Sequence, residues 1–396
     1  ASGSIYKDTT NSYSLRYAKS GWQAIASYNT QEKNYDSLRY AGGVYQGPTK
    51  YSWRKGKNLT LDVQKSLELK AGNSLLLGAD YKREQLDLYS TGRTLADSRY
   101  QRNIYSLYAS YGWQLAAKTK MNFNARETWA TDTFGQQTNL STGEQKRNDT
   151  ADMRKFTPEV QLVQQLTEAS SLYAKAGKSF RLPNLTQLYG TGALLPMLAL
   201  RPESGVHYEL GYKADGERDA WRIALFKYAL KDAISYKSGD SLLGTVEYDN
   251  KSMKNAGLEL SYRRQHNAAW STSWGAAWSN PRLGGSLSTD DNWYDVLSSY
   301  QLQGSVSYAQ KKFSASLQTN YLGGRKATNA SASRIRPLWT TDIHLAYQPR
   351  TEHNIYLHVN NLLDRRDLVN AGAAAGRPCN YYTLGRNFQL GYELSF

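Results

Sequence analysis

Apolar and polar residues alternate with a period of two along most of this chain. In the closing stretch Asn380 to Phe396 (NYYTLGRNFQLGYELSF), Phe388, Leu390, Tyr392, Leu394 and Phe396 share one face, while Asn387, Gln389, Gly391, Glu393 and Ser395 share the other. Successive side chains of a strand point to opposite faces, so this pattern predicts a strand with one oily and one wet side. The same alternation runs through Leu75, Leu77, Ala79 and Tyr81, through Tyr300 to Tyr308, and through Phe313 to Tyr321. Such segments match the roughly ten residues that a tilted strand needs to cross a bilayer. No segment keeps a helical 3.6 period over a useful length.

Between the strands, short turns alternate with longer polar stretches. Short turns are expected at Lys19 to Gly21, Leu69 to Asn73, Ala116 to Lys120, Thr167 to Ser170, Asp215 to Asp219, Gln265 to Ala268, Gln310 to Lys311 and Pro349 to Glu352. Long loops are expected near 36–52, 89–102, 134–154, 180–204, 232–250, 281–297, 325–337 and 363–380. Outer-membrane barrels have this asymmetry, with short periplasmic turns and longer extracellular loops. About seventeen strands are predicted, with an eighteenth at Ser4 to Tyr6, against the even total of a closed bacterial barrel. The barrel's first strands are therefore expected to lie outside this sequence.

Composition supports the same reading. Residues 1–396 show no linker or shift in composition and are read as one domain. Thirty-one Tyr and ten Trp accompany a mean hydropathy of −0.67, too polar for a soluble core of this size but natural for a barrel with a lipid face, a water face and interfacial aromatic girdles. No run approaches the roughly 18 apolar residues of a membrane helix. The opening residues carry no signal-peptide pattern. The single Cys379 excludes an internal disulfide framework. A net charge of +15 raises the question of nucleic acid, but the basic residues are scattered and no nucleic-acid motif accompanies them, so no such partner is expected. A nucleophile elbow, a phosphate loop and an HExxH string are all lacking, so the chain is not read as an enzyme.

Four ordered strings then carry a family resemblance. AGKSFRLPNLTQLYG (Ala176 to Gly190), LRPESGVHYELGYK (Leu200 to Lys213), KNAGLELSY (Lys254 to Tyr262) and VNNLLDRRD (Val359 to Asp367), with the terminal aromatic strand, resemble TonB-dependent outer-membrane receptors in order and spacing. The resemblance implies an all-β transmembrane antiparallel barrel of about 22 strands, of which 17 or 18 belong to this chain, with an N-terminal plug encoded outside it. It marks Phe180, Pro183, Asn184, Pro202, Glu203, Glu209, Asn361, Asp364 and Phe396 as motif residues with mainly structural roles. Pro183 suits a point where a strand leaves the sheet, and Asn184 can bond its own backbone in a turn.

The implied function is energised uptake of a scarce ligand, a ferric siderophore or another iron complex, with haem and cobalamin ranked lower and a passive porin as the alternative. Candidate ligand residues in the loops and upper lumen are Arg181, Arg201, His207, Arg325, Lys326, Arg334, Arg336, Arg377 and Tyr381. A cationic mouth would concentrate anionic ligands; it would equally bind lipopolysaccharide phosphates, and Arg181 would equally pair with a barrel carboxylate. Haem iron prefers an axial imidazole. FRLP is close to the F-R-A-P string of haem receptors, but Met197-Leu198-Ala199-Leu200 replaces their N-P-N-L and no histidine lies between. By alternation His207, His344 and His358 face the lumen, the last two in neighbouring strands, and are read as hydrogen-bonded residues with no metal site among them. No covalently required cofactor is expected. Expected partners are outer-membrane lipid, lipopolysaccharide, a small metal chelate, the barrel assembly machinery and, through the plug, a TonB-type coupling protein.

Overall fold

The computed structural model describes residues 2–91, 95–147, 151–190, 199–238, 246–284, 298–325, 334–374 and 377–395. Nine strands come first: β1 (Ser2–Lys19), β2 (Trp22–Ala41), β3 (Val44–Glu68), β4 (Ser74–Thr91), β5 (Leu95–Ala116), β6 (Thr119–Asn139), the short β7 (Gln145–Arg147), β8 (Asp152–Thr167) and β9 (Ser170–Arg181). One helix, α1 (Leu185–Tyr189), precedes β10 (Glu203–Asp215), β11 (Asp219–Ser238), β12 (Val246–Gln265), β13 (Trp270–Ser279) and the two-residue β14 (Arg282–Leu283). The chain continues through β15 (Tyr300–Gln310), β16 (Phe313–Gly323), β17 (Leu338–Arg350), β18 (His353–Asn360), β19 (Leu368–Ala374), β20 (Arg377–Tyr382) and β21 (Asn387–Leu394). Seventeen of these described strands have eight residues or more, and β19 and β20 form a separate hairpin. The expected strand at Ser4 to Tyr6 is no separate element, because it runs unbroken into Asn11 to Ala18 within β1. No helix among the described residues is long and apolar enough to cross a membrane, which says nothing of crossing by strands.

The chain divides into two compact units. Unit 1 comprises Ala1–Gln161, Ala176–Val206 and Leu230–Ser252, and unit 2 comprises Leu162–Lys175, His207–Ala229 and Met253–Phe396.

Within unit 1, β1 to β6 form an antiparallel meander. Ser20 and Gly21 adopt left-handed conformations (φ 49° and 77°), closing the β1–β2 hairpin at Lys19↔Trp22. This is the two-residue turn whose twist suits a hairpin. Only glycine fits the second position: a Cβ on Gly21 would stand 2.5 Å from the Ser66 carbonyl oxygen. The same device, Gly42 and Gly43 (φ 59° and 81°), joins β2 to β3 at Ala41↔Val44. The long loop expected at 36–52 is thus replaced by strand and a two-residue turn. Likewise β4 extends to Thr91, β6 to Asn139 and β11 to Ser238, well into stretches expected to be loops. The physical reason is that ladder hydrogen bonds need only backbone, so pairing persists after the oily alternation has stopped. At 25 residues and about 3.3 Å each, β3 measures roughly 80 Å, far more than a bilayer requires.

Alternation sorts the faces as the sequence predicts. Leu61, Val63, Leu77 and Leu107 stay exposed on one face, as lipid contact demands. On the other, Tyr108 Oη donates to Asp62 Oδ2 at 2.8 Å, and Arg126 pairs with Asp80. Gly78 admits the Tyr108 ring, since a Cβ there would lie 2.2 Å from it. In unit 2, Gly211 admits the Tyr173 ring in the same way, and the Tyr173 hydroxyl donates to Glu209 at 2.5 Å. Strands β15 and β16 pair without a register shift from Tyr300↔Gly323 to Gln310↔Phe313. In β21, Phe388, Leu390 and Tyr392 are all exposed, Leu390 to 76%.

Candidate functional site

The FRLPN string leads into a buried cluster of unit 1. β9 ends at Arg181, and Pro183, which has no N–H to donate, carries the chain off the sheet. Asn184 then caps α1: its Oδ1 accepts the Gln187 N–H at 2.8 Å, while the Gln187 side chain accepts the Asn184 N–H at 3.0 Å. Such a reciprocal capping box satisfies two otherwise orphaned donors of a short helix. Leu185, Leu188 and Tyr189, at the spacing of one helical face, pack with Leu88, Tyr100 and Leu200 in a buried cluster.

A polar knot lies beside this cluster. Arg102 is 1% exposed and forks onto Asp132, Nε to Oδ1 at 2.6 Å and Nη2 to Oδ2 at 3.1 Å, while its Nη1 donates to the Pro183 carbonyl at 2.6 Å. The Tyr189 hydroxyl donates to the same carboxylate, and Tyr100 Oη donates to the Gly190 carbonyl at 3.0 Å. The Tyr100 and Tyr189 rings stack with centroids 5.3 Å apart. Burial, then the bond to Asp132, pushes the Tyr189 phenol well above its ordinary value. Every charge here is matched, so the knot fixes the segment after β9 against β5 and β6 and leaves no cation for a ligand.

The VNNLLDRRD string builds a second knot, in unit 2. Asn361 and Asp364 take left-handed conformations (φ 51° each) that asparagine and aspartate tolerate. Asn361 donates through Nδ2 to the carbonyls of Arg365 and Leu384, both at 2.7 Å, and its N–H donates to Asp342 Oδ1 at 2.7 Å. Asp364 Oδ1 accepts the Arg386 N–H at 2.8 Å. These bonds hold Asp367 in place. Its buried carboxylate accepts Arg365 Nε at 2.9 Å, Arg336 Nη2 at 2.9 Å and the Trp339 N–H at 3.0 Å. Burial alone would raise the Asp367 acid; Arg365, the Trp339 amide and Arg336 instead hold it below its ordinary value. Two guanidinium groups share one carboxylate, and Arg365 also lies over the Trp339 ring, 5.5 Å from its centroid. Arg325, 8% exposed, donates through Nη2 to the Val369 carbonyl at 2.7 Å and leaves Nη1 without a partner. Burial lowers Arg325 from its ordinary value, and Asp367 acts against that.

The remaining candidates are distributed as follows. Arg181 forks onto Glu203 at 2.7 and 2.6 Å, and Glu203 also accepts the Ile234 N–H at 2.6 Å. Arg201 reaches Asp232 with Nε at 3.0 Å, and its N–H donates to Asn250 Oδ1 at 2.8 Å. The Asp232 carboxylate pushes Arg201 further up from its ordinary value. Phe180 and Pro202 are half-buried, and Arg334, Arg336 and, on β20, Tyr381 are exposed. His207 shares its face of β10 with Glu209 and Gly211, by alternation. Lys326, Met197, Leu198 and Phe396 lie outside the described residues, as does the side chain of Arg377. Among the described residues, no group of three or more His, Cys, Asp or Glu is set to hold a metal. Arg102, Asp132, Tyr100 and Tyr189 were missed by sequence reasoning. The only signal available was a pair of opposite charges, Arg102 at the end of the loop expected near 89–102 and Asp132 just before the loop expected near 134–154.

Comparison with solved structures gives the same fold at low identity. The copper transporter OprC matches at TM-score 0.78 and 17% identity, covering 98% of this chain and 66% of its own. The ferric yersiniabactin uptake receptor FyuA from Yersinia pestis matches at TM-score 0.78 and 16% identity, with 99% and 62% covered. The ferric citrate transporter FecA, unliganded, matches at 0.76 and 16%, with 98% and 62% covered. The chain thus spans just under two thirds of the length of these proteins. No curated protein sequence matches it. The family profile described as "TonB dependent receptor-like, beta-barrel" matches residues 2–362, nearly the whole alternating pattern and two of the four strings complete besides FRLPN. On that match, the chain belongs to the TonB-dependent receptor β-barrel family.

Proposed function

We propose that this chain is the barrel part of an outer-membrane receptor for TonB-coupled uptake of a ferric siderophore or another anionic iron complex. Barrels of this family are outer-membrane proteins, and FyuA and FecA are named for ferric complexes. The observation that carries the ligand class is the uneven charge of the two knots. Arg102, Arg181 and Arg201 each have a carboxylate of their own, whereas Arg336 and Arg365 share Asp367 and Arg325 keeps a free guanidinium nitrogen beside them. The cationic excess therefore sits at the Asp367 knot, where the solvent-exposed Arg336 guanidinium offers an anionic chelate steering and hydrogen bonds while the Arg325 nitrogen stays buried. The loops carrying it face outward in this reading, and a plug and coupling protein supply gating and energy.

The test is mass spectrometry of small molecules retained by the full-length protein from iron-limited cells, with uptake of radiolabelled iron in the same strain. An iron complex whose retention falls in Arg336→Gln supports the reading; a corrinoid or sugar with no iron complex defeats it. Steady ion conductance in planar bilayers would favour the passive porin instead.

A further inference from the structure

Among the described residues, β17 and β18 hold the one pair of imidazoles in contact. His344 and His358 stand directly opposite each other in the ladder, flanked by Ile343↔Val359 and Leu345↔Leu357. Both therefore project to the same face, the polar one, away from those apolar pairs. Their Nδ1 atoms are 3.1 Å apart, with ring centroids at 4.3 Å and planes inclined by 32°.

The neighbours fix this pair and do not compete for it. Across β16 the residue opposite His344 is Ser316, and across β21 the residue opposite His358 is Gln389, both uncharged. Tyr356, on the same face of β18, meets the His358 ring edge-on with centroids 5.2 Å apart. It lies over Gly391, where a Cβ would stand 2.2 Å from the Tyr356 ring. The glycine lets the tyrosine lie down, and the tyrosine supports the imidazole.

Two nitrogens this close serve one of two ends. Either one Nδ1 carries a proton and donates it to the other, or both rings carry their proton on Nε2 and both lone pairs meet a cation. An ion at the usual imidazole distance of about 2.0–2.1 Å from each nitrogen would see the pair at an angle of roughly 100°, between the square-planar and tetrahedral values. A purely structural pair would gain nothing from that angle.

We propose that His344 and His358 form a two-histidine site for a borderline divalent transition cation, Cu²⁺ in first preference by the stability order of such ions, with Ni²⁺ and Zn²⁺ behind it. The protein supplies two ligands and water completes the shell, so the ion is held exchangeably. Such a site suits transient capture of a metal ion along a wall, not a permanent structural centre. It is independent of which complex the receptor takes up.

The experiment titrates Cu²⁺ into the full-length protein in detergent and a non-coordinating buffer, without a polyhistidine tag, by calorimetry and electron paramagnetic resonance. The expected result is one equivalent with coupling to two nitrogens, weakened in His344→Gln and in His358→Gln by at least the roughly tenfold that even outer-shell changes cause. The double variant should lose at least as much as either single one, and His353→Gln, whose imidazole is bonded to Tyr392, should bind as the wild type does. Equal affinity and spectra in wild type and both variants would overturn the proposal. Should the variants fail to assemble, nitrogen NMR of the wild-type histidines with added Zn²⁺ decides: Nδ1 shifts on two rings support it, and unchanged Nδ1 signals refute it.

Discussion

Asp132 and Asp367 are both almost fully buried carboxylates forked by arginine, yet they belong to different kinds of construction. Asp132 has one arginine and one tyrosine, all enclosed against an apolar cluster, so its charge is closed off from solvent. Asp367 has two arginines, one of them with its guanidinium largely in solvent, and a third close by with an unused nitrogen. The first arrangement is a pin that holds the segment after β9. The second is a scaffold with cation to spare. Burial of the carboxylate is the same in both, so it is the ratio of guanidinium to carboxylate that separates a structural site from a candidate ligand surface.

The largest expected effect comes from breaking the pin. Arg102→Met leaves Asp132 buried and unpaired, and should destabilise the fold by about 3–5 kcal/mol, whereas Arg102→Met with Asp132→Leu should recover much of that. Urea unfolding in detergent micelles measures both, and an equal loss in the single and double variants would contradict the closed-pair account. Next comes Asp367→Asn, which removes the shared acceptor and should cost on the order of 2 kcal/mol. Because the folded acid lies below its ordinary value, its stabilisation is present above about pH 4 and fades as pH falls through the folded value. The wild type should therefore lose stability on acidification more steeply than Asp367→Asn, and parallel pH profiles would remove the ion cluster from the account.

A smaller effect is expected at the start of α1. Asn184→Ala breaks the capping box and should cost about 1 kcal/mol, and Asn184→Ser should restore most of it. The smallest is Arg181→Gln. The Arg181 guanidinium is half in solvent, and Glu203 keeps the Ile234 N–H as a partner, so the change should cost less than about 1 kcal/mol. A loss as large as that of Arg102→Met would erase the distinction between buried and rim arginines.

Much of the fold was legible because its determinants are local. Ser20-Gly21 and Lys311 were expected as turns and take the left-handed conformations such turns need, and Phe388, Leu390 and Tyr392 keep the exposed face that their spacing predicts. The strand extensions at Gly42-Gly43 and beyond were not legible. Side-chain alternation reports contact with lipid, and it falls silent where a strand continues in water on backbone bonds alone.

The candidate site divides in the same way. The strings around Pro183 and Asn361 could be recognised because capping, left-handed turns and a missing N–H are properties of a few consecutive residues. The partners of Asp132 could not: Arg102 is 30 residues away in the chain and Tyr189 is 57. The sequence by itself determined period, turns and family, since each depends on neighbours along the chain. Which arginines are neutralised, which keep charge to spare, and that His344 meets His358 at 3.1 Å were decided only by the tertiary structure, because strand register brings distant residues to one spot.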